Sequence, residues 1–207
     1  MILYLLIITF SATAITLICC LLHTPVAAWG ILPAALIVWG EVVAVIVIDG
    51  LGACIIRHLP EKYFEAERKC FTVTQAECRL WRALGVRIWR DKIPELGGFS
   101  GFHKDRVREP KNASYLARFL LETNYGTAIH LVNALTGFLL LAVYPHITLS
   151  VALPVAVVNL LLSLMPFGVL RYNTPKLLAL YRRVKARDIK KAPLAQIGSA
   201  ESCTSGK

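Results

Sequence analysis

The sequence predicts an all-α fold: a polytopic integral membrane protein of about four transmembrane helices, with amphipathic helices on its cytoplasmic side. Three observations carry that expectation. Hydrophobic residues make up 56% of the 207 and charged residues only 17%, with a mean hydropathy of +0.58, which is too apolar for an ordinary water-soluble domain. The apolar residues are gathered into runs near the ~20 residues that a helix needs to cross a bilayer core. All 23 Lys and Arg fall in two segments, fourteen in 57–125 and nine in 171–207, and none in the short connectors between apolar runs.

The first run, Ile2 to Leu22, carries no charged side chain. It lacks a basic leading segment and a small-x-small cleavage site, so it reads as a retained helix more readily than as a cleaved signal peptide. The second, Val26 to Ile56, is interrupted only by Glu41 and Asp49; the third, Thr127 to Tyr144, carries His130 and Asn133; the fourth, Ile147 to Leu170, carries Asn159, Pro154, Pro166 and Gly168. Spans are expected near 2–22, 31–56, 127–144 and 147–170, within a single membrane domain of residues 1–192. Basic loops stay on the cytoplasmic side of a membrane. Four spans with both basic segments inside give a multi-pass protein of the cell membrane with both termini cytoplasmic.

The cytoplasmic segment 57–125 follows. Leu59 to Glu95 reads as helical, with Pro60 in a first turn and good helix formers from Glu61 to Lys69, and a second helix over Thr74 to Leu84. Trp81, Val86, Ile88 and Trp89 among basic residues suit a segment lying in the membrane interface. Gly97 to Phe102 reads as a loop, Lys104 to Lys111 as a charged turn, and Ser114 to Asn124 as a helix leading into the third span. Residues 193–207, rich in Gly, Ser and Ala, read as a disordered tail. The net charge of +10 does not imply a nucleic acid: the basic residues flank spans, where anionic lipid headgroups are the nearer partner, and nine acids are mixed into 57–125. The six cysteines show no CxxC or paired spacing, so neither a zinc site nor a disulfide framework is expected.

Several catalytic signatures are missing. No histidine is followed by an acid five positions on, there is no GxSxG, and there is neither a P-loop nor a GxGxxG. The positive signal is polar side chains inside spans, which are expensive in hydrocarbon and mark functional candidates. Counting from Arg57 and Gly126 puts Asp49 and His130 at roughly 12 and 6 Å inside the cytoplasmic boundary, where they can meet, and leaves Glu41 near the far side. Glu122 precedes His130 by eight residues and can line the same cleft. A histidine suits general base work on a hydroxyl at neutral pH, and a carboxylate beside it fixes its tautomer. Spacing alone equally allows a histidine that only hydrogen-bonds a neighbouring helix. Arg171-Tyr172-Asn173-Thr174-Pro175 closes the fourth span with an Asn-x-Pro turn. Its cations suit a phosphate-bearing donor or plain lipid headgroups.

Taken in order, these stretches resemble a known family: Leu59 to Phe64; Leu84 to Pro94; Gly97 to Ser100; the spacing from Glu122-Thr123 to Ile129-His130; Asn159 before Pro166; and Arg171-Tyr172-Asn173-x-Pro175. From about His58 to Arg187 the chain is similar to the glycosyl-4,4'-diaponeurosporenoate acyltransferases, which esterify a sugar hydroxyl of a glycosylated carotenoid with a fatty acyl group to complete staphyloxanthin-type pigments. It departs at Thr174 and Lys176, where the family run has arginines, at Leu131, where an aromatic often follows the histidine, and in its added first span. The resemblance implies a membrane O-acyltransferase. On that reading His130 is the general base with Glu122 or Asp49 orienting it, and Trp89, Lys92, Arg171, Tyr172 and Asn173 form the substrate-binding mouth. The partners are the lipid bilayer, a glycosylated lipid or carotenoid acceptor and an acyl donor, for which acyl-CoA is plausible. No metal and no bound cofactor are implied. Two alternatives stay open: a non-catalytic membrane adaptor or lipid-binding protein, and another small membrane transferase such as a lipid methyltransferase.

Overall fold

The structure is a computed structural model that describes residues 2–93, 107–143 and 148–204. Four helices are long and apolar enough to cross a membrane: α1 (Ile2–Leu21), α2 (Ile31–His58), α5 (Ala113–Thr136) and α6 (Leu153–Thr204), with the short helices α3 (Gln75–Ala83) and α4 (Val86–Trp89) between the second and third. No strand occurs among the described residues. The chain is a multi-pass helical membrane protein. A 3-10 stretch, Gly137–Ala142, prolongs α5, and a π-helical turn, Thr148–Ala152, leads into α6.

The bundle has a basic end, marked by Arg57, Arg118 and Arg171, and an opposite end where α1 turns into α2. There, Gly30 takes φ +103° at the start of α2, a conformation open to glycine. Two apolar cores sit at the two ends. The opposite end buries Ala12, Ile15 and Cys19 against Ala34, Val38 and Val45, closed by Leu140, Val151, Ala152 and Val155. The basic end buries Ile56, Phe64, Leu121 and Tyr125.

Register between helices follows from close contacts. A methyl at Gly137 would lie 3.3 Å from Ala156 Cα, and Asn159 donates to the Asn133 carbonyl at 2.8 Å. Counting outward at 1.5 Å per residue puts Glu122 on α5 level with about residue 171 of α6. Gly52 of α2 faces Val132 and Asn133.

Two expectations are corrected. Glu61 to Lys69 is not α-helical: it forms the 3-10 turns Glu61–Tyr63 and, further on, Lys69–Phe71. The carbonyls a helix would use are captured by α5. Asn124 Nδ2 donates to the Phe64 and Glu65 carbonyls, the Tyr125 hydroxyl donates to the Leu59 carbonyl, and Phe64 stacks on Tyr125 with ring centroids 4.0 Å apart. Packing and these bonds override a favourable helix propensity. The Asn-x-Pro turn is absent too, because α6 runs straight through Asn173 and Pro175. One backbone bond is forgone at Pro175, and the Thr174 hydroxyl donates back to the Leu170 carbonyl at 2.8 Å. The backbone of α6 runs on from there as far as Thr204. The loop expected over Gly97 to Phe102 lies outside the described residues.

The helix expected over Thr74 to Leu84 is present as α3. Thr74 caps it, its hydroxyl accepting from the Glu77 amide at 3.2 Å, and Gly85 in the left-handed region (φ +68°) turns the chain into α4. The helix expected over Ser114 to Asn124 continues without a break into the third span, capped by Asn112.

Candidate functional site

Polar side chains gather in three clusters. The first, at the basic end, is built on Glu122, which is only 3% exposed. Arg57 Nη1 donates to its Oε2 at 2.7 Å and Arg118 Nη2 to its Oε1 at 2.8 Å, while Arg118 Nη1 reaches Glu61 at 2.8 Å. Arg57 also lies over the Tyr125 ring, 5.2 Å from its centroid. A buried carboxylate costs several kcal/mol to desolvate unless paired and hydrogen-bonded, and here both oxygens are engaged. Arg118 and Glu122 stand four apart on one helix face, a pairing visible in the sequence. The Arg57 contact is not, because it joins residues 65 apart.

The second cluster clamps α3 to α6. Arg171 is buried at 8% exposure. Its Nε and Nη2 donate to the two oxygens of Glu77, each at 2.6 Å, and Nη1 and Nη2 donate to the Phe71 and Thr72 carbonyls. Trp81 Nε1 also donates to Glu77 at 3.1 Å. Burial pushes the Glu77 carboxyl up, but the Arg171 and Trp81 hydrogen bonds, the Arg171 charge and the Thr74 backbone amide outweigh it, so it sits below the usual carboxylate range. The Trp81 ring lies on Gly168, where a methyl would come within 2.8 Å of Cζ3. Arg171 therefore spends its guanidinium inside the protein.

The third cluster lies in the bundle interior. The Thr136 hydroxyl donates to Asp49 at 2.6 Å. Asn159 Nδ2 donates to the Asn133 carbonyl, three residues before Thr136 on α5.

His130 is half-buried on α5. Glu122 lies eight residues to one side and Thr136, the Asp49 partner, six to the other, roughly 12 and 9 Å along the axis. Asp49 therefore sits roughly 9 Å deeper than His130, in the same sense as the offset counted along the sequence. Glu41 is far from both along α2, buried, with one carboxylate oxygen lacking a hydrogen-bond partner among the described residues.

The remaining predicted residues lie around α4 and the middle of α6. Trp89 is half-buried, its Nε1 donating to the Leu84 carbonyl at 2.9 Å. Asn173 accepts from Arg90 at 3.5 Å. The Lys176 ammonium lies 4.5 Å from the Tyr172 ring centroid, and Lys92 is exposed. Glu77, Trp81 and Arg118 are site-shaping residues not singled out from spacing, although Thr74 and Glu77 carry the three-residue offset of a capping box.

Four spans enclosing buried, paired carboxylates define a multi-pass membrane protein with a polar interior at its basic end. Residues 60–183, more than half of the chain, match the model of the glycosyl-4,4'-diaponeurosporenoate acyltransferase family, and the chain belongs to that acyltransferase family. α1 and α2, with Asp49, precede the matched residues. No curated protein and no solved structure matches the chain.

Proposed function

We propose that this protein transfers a fatty acyl group to a sugar hydroxyl of a glycosylated carotenoid of the staphyloxanthin type, or a related glycolipid, at the inner face of the cell membrane. The family match over residues 60–183 is the observation that carries the reading. The clustering of every Lys and Arg in two segments supports cytoplasmic termini, and with them a site open to a water-soluble donor such as acyl-CoA.

On this reading His130 accepts the proton of the sugar hydroxyl as its oxygen attacks the thioester carbonyl carbon. The tetrahedral intermediate collapses with cleavage of the carbon–sulfur bond, and the leaving thiolate takes the proton back from His130. Glu122 and Asp49, each tied into its own network, fix α2 and α5 around the histidine and are positioning residues. Arg171 belongs with them, since its donors are already spent on Glu77 and two carbonyls. Lys92, exposed and without an ion-pair partner among the described residues, would offer its ammonium to the donor's phosphates, and Trp89, Tyr172 and Asn173 complete the substrate-binding set.

The test is acyl transfer by purified protein in nanodiscs, from labelled acyl-CoA to a glycosylated carotenoid, with His130→Ala and His130→Gln. General base catalysis contributes about 10²–10⁴-fold. A fall in kcat of at least about 100-fold, with little change in KM or thermal midpoint, is expected. A folded His130→Ala protein that keeps its activity would remove the histidine from the mechanism.

A further inference from the structure

Between the second and third spans, α3 and α4 carry a row of large apolar side chains that the protein leaves uncovered. Leu80 is 53% exposed, Leu84 54% and Ile88 77%. They recur at every fourth residue, the spacing of one helix face. α3 is nine residues long, roughly 14 Å, far short of a ~30 Å hydrocarbon core, so the row does not belong to a span. The neighbouring aromatic is accounted for, since Trp81 packs on Gly168 and donates to Glu77. Val86 is buried as well. The apolar surface left over is therefore Leu80, Leu84 and Ile88, a different set from the one centred on Trp81 and Val86.

Contacts to α6 set the level of this segment. The Trp81 ring meets Gly168, the Glu77 carboxylate meets Arg171 and Arg90 meets Asn173. From 168 to 173 is roughly 8 Å along α6, and those positions bracket Leu170, where the fourth apolar run ends. An interfacial helix sets its apolar face at this depth, ~5–10 Å into the boundary between headgroups and acyl chains. Charge is arranged to match. At ~100° per residue, Leu80 lies roughly 60° from Glu77 around α3, while Arg79 and Arg82 lie roughly 140–160° from it, on the side away from α6. Arg79, Arg82 and Arg87 are all exposed, and each stands next to, or two residues from, one of the three apolar side chains. A purely apolar partner would leave the arginines unanswered, and an acidic protein face would leave the leucines in water. An anionic lipid surface, with phosphates above and acyl chains below, answers both.

We infer that α3 and α4 dock into the leaflet at the basic end of the bundle, with Leu80, Leu84 and Ile88 among the acyl chains and Arg79, Arg82 and Arg87 on the phosphates of anionic phospholipid. The bidentate hold of Arg171 on Glu77 sets the height at which this anchor meets the lipid. The inference concerns bulk leaflet lipid and stands independently of the acyl-transfer reading.

The experiment uses the full-length protein in phosphatidylcholine–phosphatidylglycerol nanodiscs, with the photocrosslinker benzoylphenylalanine placed at position 84 or at position 88. Irradiation is expected to attach one phospholipid, read by mass spectrometry of the intact protein. Phosphatidylglycerol should appear in the adducts at about fivefold its share of the nanodisc lipid, the preference given by one cation held near an anionic surface. Replacing the three arginines together (Arg79→Gln, Arg82→Gln, Arg87→Gln) should bring that enrichment below about twofold while the lipid adduct itself persists. The same crosslinker at position 75, which is exposed on the arginine side of α3, should give at least about fivefold fewer lipid adducts. Positions 84 and 88 are both exposed, so either probe suffices if the other disturbs folding. Crosslinks from these positions to a second copy of the chain, or lipid adducts no more frequent than at position 75, overturn the docking. Enrichment that survives the loss of all three arginines overturns their role on the headgroups. Neither readout depends on acyl transfer.

Discussion

Replacing Arg171 separates two roles that its position near the basic end allows. If the guanidinium is a clamp, Arg171→Gln removes a two-pronged ion pair and two hydrogen bonds to backbone carbonyls, and leaves Glu77 with only Trp81 and its capping contact. Breaking a buried pair by removing one partner costs ~3–5 kcal/mol. With side chains 10% and 22% exposed, the lower end applies, about 3 kcal/mol. For a chain of this size each kcal/mol moves the thermal midpoint by ~2–4 °C, so a drop of about 6–12 °C is expected by circular dichroism in detergent. Glu77→Gln should cost less, and the double variant should show a coupling of about 2 kcal/mol, within the range for residues in one network. The pH dependence has a definite sign. Because the folded carboxyl of Glu77 lies below its usual range, the pair stabilises fully above the ordinary carboxylate pKa, and that contribution is lost as pH falls through the depressed one. Arg171→Gln should flatten this acid limb. An unchanged midpoint together with a tenfold higher KM for the acyl donor would refute the clamp and return Arg171 to the substrate mouth.

Three further outcomes follow from the packing. Gly168→Ala drives a methyl into Trp81 and should cost about 1–3 kcal/mol, the range for overpacking, read as a lower thermal midpoint. Glu122→Gln weakens the bonds to both Arg57 and Arg118 and should destabilise by about 2–4 kcal/mol, with Glu122→Ala costing more; a shift smaller than 1 °C would show that solvent already satisfies the arginines. Asn124→Ala strips the partners from the Phe64 and Glu65 carbonyls, at about 1–3 kcal/mol for the unsatisfied groups, and should raise limited proteolysis selectively within residues 59–72.

The spans were legible because hydrocarbon imposes a length and a composition that the runs around Ile2, Val45 and Asn159 meet without tertiary help. α3 was legible for a local reason, a helical spacing that puts Leu80 and Leu84 on one face and Glu77 and Arg79 elsewhere. The 61–69 segment misled because its helix propensity is real but small, and the groups that override it, Asn124 and Tyr125, lie some sixty residues away. Arg171 was ambiguous in another way: a cation near the end of a span looks the same in sequence whether it faces headgroups or a buried glutamate. His130 and Glu122 could be paired by spacing on one helix, but the Arg57 contact to Glu122 could not, because it joins residues 65 apart.

The dependence of residues 59–72 on α5 and α6 bears on how the chain is assembled during synthesis. The α1–α2 hairpin closes through neighbours in sequence and can insert as soon as both helices have left the ribosome. The stretch that follows has no such local partner. Its carbonyls wait first for Asn124 and Tyr125 and then, at Phe71 and Thr72, for Arg171. A nascent chain arrested before Arg171 thus carries an undocked segment between two membrane hairpins, and only the arrival of the last helix locks it against the bundle.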